Sequence, residues 1–262
     1  MPTVSLNGID VYYERGGSGP PLLFCNGSGA TLESSALLIE QFRQHFDVVA
    51  HDQRGLGKTS IPDEPFTMAQ YAADAAALLD HVGWATSAVV GVSFGGMVAQ
   101  EYAVTFPDRV TRLALVCTSS GGAGKPSYPL HELATLPVEE QAAISLRLLD
   151  TRFTPQWLAE HPHDLAMVQA RADRPERTPA QRRGELAQLD ARSRHDVWER
   201  LPKITAPTLV AGGRYDGIAP PSNSEAIASQ IPGATLGLYE GGHLFFVQDR
   251  TAMPDILSFL AG

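Results

Sequence analysis

Ala88-Val89-Val90-Gly91-Val92-Ser93-Phe94-Gly95-Gly96 is the stretch on which the reading of this 262-residue chain turns. An uncharged, β-branched run enters Gly-x-Ser-x-Gly, and a helical pattern leaves it from Gly95 to about Phe106. A strand that passes into a helix around one serine needs a very sharp turn. Glycine at 91 and 95 removes the side chains that would collide there, so the backbone can hold Ser93 in a strained conformation with its hydroxyl exposed above the sheet. The bare spacing recurs by chance, and the strand before it and the helix after it give it chemical meaning.

A serine hydroxyl is a weak nucleophile until a base takes its proton, and the base needs a third group to fix its tautomer. In this strand-turn-helix setting the chain order is serine, acid, histidine. Of eight histidines only His243 lies late in the chain, directly after a strand-like run and in the unhindered Gly241-Gly242-His243 loop. The acid must leave the end of a strand in the same sheet. Thr208 to Gly213 followed by Arg214-Tyr215-Asp216-Gly217 meets that condition and selects Asp216.

Working outward, Thr3–Leu6, Asn7-Gly8 and Ile9–Tyr13 read as a hairpin. Apolar strand-like runs at 22–25, 47–50, 88–92 and 113–117 alternate with helical patterns near 34–44, 68–81 and 95–106. Continuous Leu, Val and Ile strands separated by helices indicate a parallel sheet covered on both faces, hence an α/β class. Thr67 with Gln70 forms a capping-box pattern, and Gly83 stands where that helix should stop. Strands resume at 206–212 and 235–239 before a last helix near 253–260. From Thr118 to Leu201 strand-like runs vanish and charge rises through Arg171–Arg200, which reads as an inserted helical segment. Gly121, Gly122, Gly124, Pro126 and Pro129 suggest a linker on its entry side.

With 44% hydrophobic and 19% charged residues the chain is set to fold around a sizeable core. Its net charge of −9 offers no overall attraction for phosphate backbones or an anionic membrane surface, so neither nucleic acid nor membrane is an expected partner. The start MPTVSLNGID has no basic region followed by an apolar one, so the expectation is a cytoplasmic chain without a secretory signal. The two cysteines, Cys25 and Cys117, make no disulfide framework and suit a reducing compartment. Oligomeric state is left open. His161-Pro162-His163 with Asp164 lacks a helix-spaced partner, and no metal is predicted. Gly57-Lys58-Thr59 has Asp52 where a phosphate loop needs glycine, and Gly27-Ser28-Gly29 has Leu32 where a dinucleotide turn needs Gly or Ala, so no cofactor is predicted either.

Gly91-Val92-Ser93-Phe94-Gly95-Gly96, Asp52-Gln53-Arg54-Gly55-Leu56-Gly57, Ala206-Pro207-Thr208-Leu209 leading to Asp216, and Gly242-His243 together resemble the α/β-hydrolase fold family over nearly the whole length. The resemblance is greatest to its lactonase and esterase members, of 3-oxoadipate enol-lactonase and non-haem haloperoxidase type. It implies a mostly parallel eight-stranded sheet with helices on both faces, a core of residues 1–118 and 201–262, and residues 119–200 as a helical cap. It also implies a Ser93-Asp216-His243 triad, with the backbone N–H groups of Ser28 and Phe94 as an oxyanion hole. The function implied is a cofactor-independent serine hydrolase cleaving a small carboxylic ester or lactone through an acyl-enzyme. A C–C bond hydrolase or perhydrolase on the same residues, or a ligand-binding receptor with a hydrolase-like pocket, are the alternatives. Relatives usually carry His-Gly after the third strand, where this chain has Asn26-Gly27. Asn26, with Phe153 and Trp157 from the cap, is expected at the substrate, although the stripe that Phe153 and Trp157 form with Leu165, Met167 and Val168 is also suited to packing. The family's strand order separates Cys25 from Cys117 by two strand spacings, so both are expected as free thiols.

Overall fold

The computed structural model describes residues 2–133, 135–172 and 177–262; Ala134 and residues 173–176 of the charged run lie outside the described residues. Asn7 and Gly8, both with positive φ (49° and 76°), make the tight turn between β1 (Thr3–Leu6) and β2 (Ile9–Gly16). That backbone twist matches the twist of the strands it joins. The chain continues through β3 (Pro21–Cys25), α1 (Ala36–Arg43), β4 (Asp47–His51), α2 (Met68–His81), β5 (Ser87–Val92), α3 (Phe94–Thr105) and β6 (Val110–Val116). Between β6 and the next strand come α4 (Leu130–Leu133), α5 (Val138–Leu149), α6 (Pro155–Glu160), α7 (Pro162–Ala172) and α8 (Pro179–Ser193). Then follow β7 (Thr208–Gly213), α9 (Pro221–Gln230), β8 (Thr235–Tyr239), α10 (Phe245–Gln248) and α11 (Ala252–Ala261).

The eight strands form one sheet in the order β1-β2-β4-β3-β5-β6-β7-β8. Pairing is antiparallel where β2 meets β1 and β4, and parallel from β4 to β8. Successive side chains on a strand point to opposite faces, so the continuous apolar runs divide between two cores. Leu23, Cys25, Val49 and Val89 join Tyr71, Leu78, Phe94 and Tyr102 on the face covered by α2 and α3. Leu22, Phe24, Val48 and Val90 join Ile39, Phe42, Ile256 and Leu260 on the face covered by α1 and α11.

The helix at 68–81 begins with the expected reciprocal Thr67–Gln70 cap and ends before Gly83 at φ 80°. β6 starts three residues before the expected Leu113, because Val110 is buried while Thr111 and Arg112 are more exposed, which breaks the apolar run where the strand leaves solvent. β7 starts at Thr208 and not at Ala206, since Pro207 has no N–H to give the ladder. The glycine-rich entry to the 119–200 segment is packed and not a free linker. A Cβ on Gly121 would overlap the His195 carbonyl, and one on Gly124 would overlap Trp198. Among the described residues no strand interrupts that segment, and no helix is long and apolar enough to cross a membrane.

Cys25 and Cys117 stand on opposite sides of β5, are both free and are both buried. Burial pushes the Cys25 thiol up to about 12. A thiol reagent should therefore label the native protein slowly at either cysteine, and label both in denaturant without reductant; one reactive thiol or none after unfolding would contradict the sheet order.

Candidate active site

β5 ends at Val92 and α3 begins at Phe94, so Ser93 is the whole turn between them. Its backbone lies at φ 57° and ψ −115°, a region that costs a residue with a side chain about 1–3 kcal/mol. The Ser93 N–H donates to the Val116 carbonyl at 2.8 Å, and the Ser93 carbonyl accepts from Gly96 N–H at 2.9 Å. A Cβ on Gly91 would overlap the Gly95 carbonyl, and one on Gly95 would overlap the Cys25 carbonyl. Gly96 is under the same constraint, because its Cβ would meet Thr118 at 2.6 Å. The third glycine was not singled out by the five-residue motif.

His243 reaches Ser93 from the loop after β8. Its Nε2 lies 2.9 Å from Ser93 Oγ and its Nδ1 lies 2.7 Å from Asp216 Oδ2. A carboxylate only accepts, so Nδ1–H donates to Asp216 and Nε2 is left to accept the serine hydroxyl. Asp216 is itself fixed, because its Oδ1 accepts from the N–H groups of Ile218 at 2.8 Å and Ala219 at 2.9 Å. Burial disfavours the His243 cation, but the Asp216 carboxylate and the nearby Cys117 outweigh it and hold the imidazole pKa above its ordinary value. Glu240 and Asp249, the acids nearest His243 in sequence, are occupied elsewhere: Glu240 faces Arg152 and Arg214, and Asp249 accepts from Thr251 and the Glu240 N–H.

The loop after β3 passes beside the serine, with a Cβ on Gly27 falling 3.6 Å from Ser93 Cβ. The Ser28 N–H, in that loop, and the Phe94 N–H, in the first turn of α3, form no backbone hydrogen bond among the described residues. First-turn helix donors are orphaned by geometry, which makes them suited to receive a developing negative charge. Asn26 is buried; its carbonyl accepts from Gln53 at 2.6 Å, while among the described residues its side-chain nitrogen has no partner. Asp52 fixes the neighbouring loops by accepting from Leu32 N–H at 2.7 Å and Lys58 N–H at 2.9 Å.

Phe153 and Trp157, expected at the substrate or in packing, both have close neighbours in their own segment. Phe153 has no exposed surface and packs with Leu149 and Leu158, so it offers nothing for a bound molecule to touch. Trp157 is stacked on His161 at 3.8 Å, carries the Arg152 guanidinium at 4.7 Å on its ring, and donates its indole N–H to Asp164 at 2.9 Å. It belongs to a brace that the sequence did not reveal. Asp150, fully buried, takes two hydrogen bonds from the Arg152 side chain and one from Gln248. Gln248 also donates to Asp164 and accepts the Gly242 N–H at 2.8 Å. The Leu149 carbonyl accepts the His243 N–H at 2.6 Å, and the Leu148 carbonyl accepts the Gly217 N–H at 3.1 Å. Thus the end of α5 anchors the loops of both His243 and Asp216. No sequence spacing signals the brace, because Gln248 lies 84 residues from Asp164 and 98 from Asp150.

A model of the alpha/beta hydrolase fold family matches residues 20–249. The chain belongs to the α/β-hydrolase fold family. It is 33% identical over 243 residues to a poly(3-hydroxyalkanoate) depolymerase of Ectopseudomonas oleovorans, covering 92% of this chain and 84% of the depolymerase. It is 27% identical over 246 residues to 3-oxoadipate enol-lactonase 2 of Acinetobacter baylyi, covering 89% and 85% of the two chains. The solved enol-lactonase of Burkholderia xenovorans LB400 superposes with a TM-score of 0.82 at 24% identity over the full length of both chains, a likeness of fold. As an α/β hydrolase, the chain carries its serine turn at the C-terminal end of the sheet, where open α/β sheets bind ligands.

Trp157→Ala should leave the ranking of substrates by acyl-chain length unchanged and lower stability by about 1–3 kcal/mol through the lost stacking and indole hydrogen bond. Thermal melts beside an ester series from acetate to octanoate check this; a reordered series would return Trp157 to the substrate.

Proposed function

We propose that this α/β hydrolase is a serine hydrolase of small carboxylic esters or lactones, acting through an acyl-enzyme on Ser93. The observation that carries the reading is the unbroken line Asp216–His243–Ser93, with hydrogen bonds of 2.7 and 2.9 Å. Ser93 Oγ attacks the substrate carbonyl carbon as its proton passes to His243 Nε2. The carbonyl oxygen becomes an oxyanion between the N–H groups of Phe94 and Ser28. Collapse of this intermediate breaks the ester C–O bond, and His243 returns the proton to the departing alkoxide, which in a lactone stays tethered to the acyl group. Water activated by the same imidazole then releases the acid and restores the serine. Asp216 holds the tautomer and stabilises the imidazolium throughout. None of these steps calls for a metal or cofactor.

Likeness to a depolymerase and an enol-lactonase supports carbonyl–oxygen bond cleavage as the reaction class. Residues 119–200 act in this reading as a cap on the site. In support, Gln188 of α8 accepts the Gly29 N–H at 2.8 Å, and Gly184 lies against Gly55 so closely that a Cβ would overlap its carbonyl.

Ser93→Ala and His243→Ala should each lower kcat by about 10⁶, and the double variant should be no worse, since the two act as one unit. Asp216→Asn should cost about 10⁴, because the amide favours the wrong imidazole tautomer. Steady-state kinetics on one activated ester, with fluorophosphonate labelling of wild type and Ser93→Ala, decide this; labelling that survives in Ser93→Ala would move the nucleophile elsewhere.

The base works only as neutral imidazole, so kcat/KM should fall on acidification. Because Asp216 favours the cation, the apparent pKa of that limb should lie above the ordinary imidazole value of about 6.5. The residual activity of Asp216→Asn should show the limb displaced to lower pH, since the cation has lost its partner. A kcat/KM that stays level from pH 8 to pH 4 would remove His243 from the role.

A further inference from the structure

Ser28, whose N–H is one of the two proposed oxyanion donors, stands between Gly27 and Gly29 on a loop that glycine leaves free to take many conformations. Among the described residues the loop's own backbone holds it by one hydrogen bond, from the Ala30 N–H to the Gly27 carbonyl at 3.2 Å, with Gly29 at φ 64° inside the turn. The Ser28 hydroxyl is buried and has no partner among those residues, so it does not brace its own turn. An oxyanion donor is effective when it is already in place as the charge develops. The hold on Ser28 therefore has to come from outside the loop.

Two glutamines, neither with any exposed surface, provide it. Gln53, just after β4, donates its side-chain N–H to the Asn26 carbonyl at 2.6 Å and fixes the loop where it leaves β3. Gln188, on α8, accepts the Gly29 N–H at 2.8 Å through its side-chain oxygen and fixes the peptide that follows Ser28. Gln188 reaches that N–H because the inward face of α8 is cut down around it. Gly184, one turn before, lets the helix close on the Gly55 carbonyl, and Ala191, about one turn after, packs into the core. The Thr178–Gln181 capping box fixes the start of the helix. Packing alone does not select an amide in that stripe, since burying one costs free energy wherever its hydrogen bonds are incomplete. The side-chain nitrogen of Gln188 has no partner among the described residues, which leaves the bond to Gly29 as what this amide does there.

We propose that Gln188 is a positioning residue for the reaction: by holding the Gly29 N–H it fixes the 28–29 peptide, so that the Ser28 N–H keeps one direction and docking of α8 completes the oxyanion hole. The proposal rests on the serine-hydrolase reading above. Gln188 acts through the backbone and touches no reacting atom. With α8 displaced, the molecule keeps Ser93, His243, Asp216 and the Phe94 N–H and lacks one aligned donor.

Gln188→Met removes the acceptor at nearly constant volume. Per active site, counted by the final extent of fluorophosphonate labelling, kcat for p-nitrophenyl butyrate should fall about ten- to a hundredfold, at or below the loss of roughly 10²–10³ for a whole donor, while KM changes little. An alkyl trifluoromethyl ketone is the second probe. Ser93 Oγ bonds to its carbonyl carbon, the carbonyl oxygen becomes the oxyanion and the serine proton passes to His243, so its inhibition constant should rise by the factor by which kcat/KM falls. A residue that only packed would lower the fraction of active protein and leave both values per active site unchanged. The third measurement is amide hydrogen exchange at Gly29, followed by NMR. It should be slow in wild type, faster in Gln188→Met, and slow again in Gln188→Glu, whose carboxyl oxygen still accepts. An unchanged kcat per site, ketone inhibition that stays level while kcat falls, equal loss of protection in both variants, or a Gly29 amide that exchanges freely in wild type overturns the proposal. If wild type neither turns over the ester nor is labelled, the hydrolase reading fails on its own account, and exchange at Gly29 still decides the hold on the loop: protection that depends on Gln188 upholds it, and protection that is absent or independent of Gln188 overturns it. Should circular dichroism show Gln188→Met unfolded, Gln188→Ala takes its place in every measurement.

Discussion

Ser93 occupies a backbone conformation that no residue with a side chain adopts freely, and much of the surrounding structure exists to impose it. The hydrogen bond to Val116 fixes the turn to β6, and the contact of Gly95 with the Cys25 carbonyl fixes it to β3. Gly96 lies against Thr118, just beyond β6. These elements flank β5 on both sides, so the sheet order is what over-determines the strain. In return the hydroxyl stands clear of its own backbone, and the first free N–H of α3 sits beside it. The proposed nucleophile and half of the proposed oxyanion hole thus come from a single constraint.

The other members of the proposed triad rely on a different support. Both of their loops are fastened to carbonyls at the end of α5, and Gln248 links the Gly242 N–H to Asp150 and Asp164. The 119–200 segment is therefore not an ornament on a finished core. It supplies the backbone acceptors against which His243 and Asp216 are aligned, and it holds the β3 loop through Gln188.

Local signals were legible in the sequence where physics is local. The Asn7-Gly8 turn, the Thr67–Gln70 cap and the Gly-x-Ser-x-Gly elbow each depend on residues within a few positions, and each stands where its residues indicate. His243 and Asp216 were legible because a strand end fixes where a following loop emerges. The Asp150–Arg152–Gln248–Asp164 brace was not, since its partners meet only after the sheet has formed. Phe153 and Trp157 show the limit of periodicity: an apolar helical stripe looks the same whether it faces a substrate or a neighbouring helix, and here its members pack on one another and on Arg152. Arg192 and His195 carry no motif at all, and only their burial draws attention to them.

The hydrogen bond between His243 and Ser93 closes a separation of 150 residues, whereas that between His243 and Asp216 closes 27. Long closures in a parallel sheet are the slow steps of folding, because chain entropy is lost before the contact repays it. The loops of Asp216 and His243 follow adjacent strands and form a C-terminal unit, while the serine turn requires β3, β5 and β6. Their meeting needs the β6–β7 junction, which spans the entire helical segment. In refolding, recovery of secondary structure should thus run ahead of the alignment of Ser93 with His243, making that alignment a late marker of the native state.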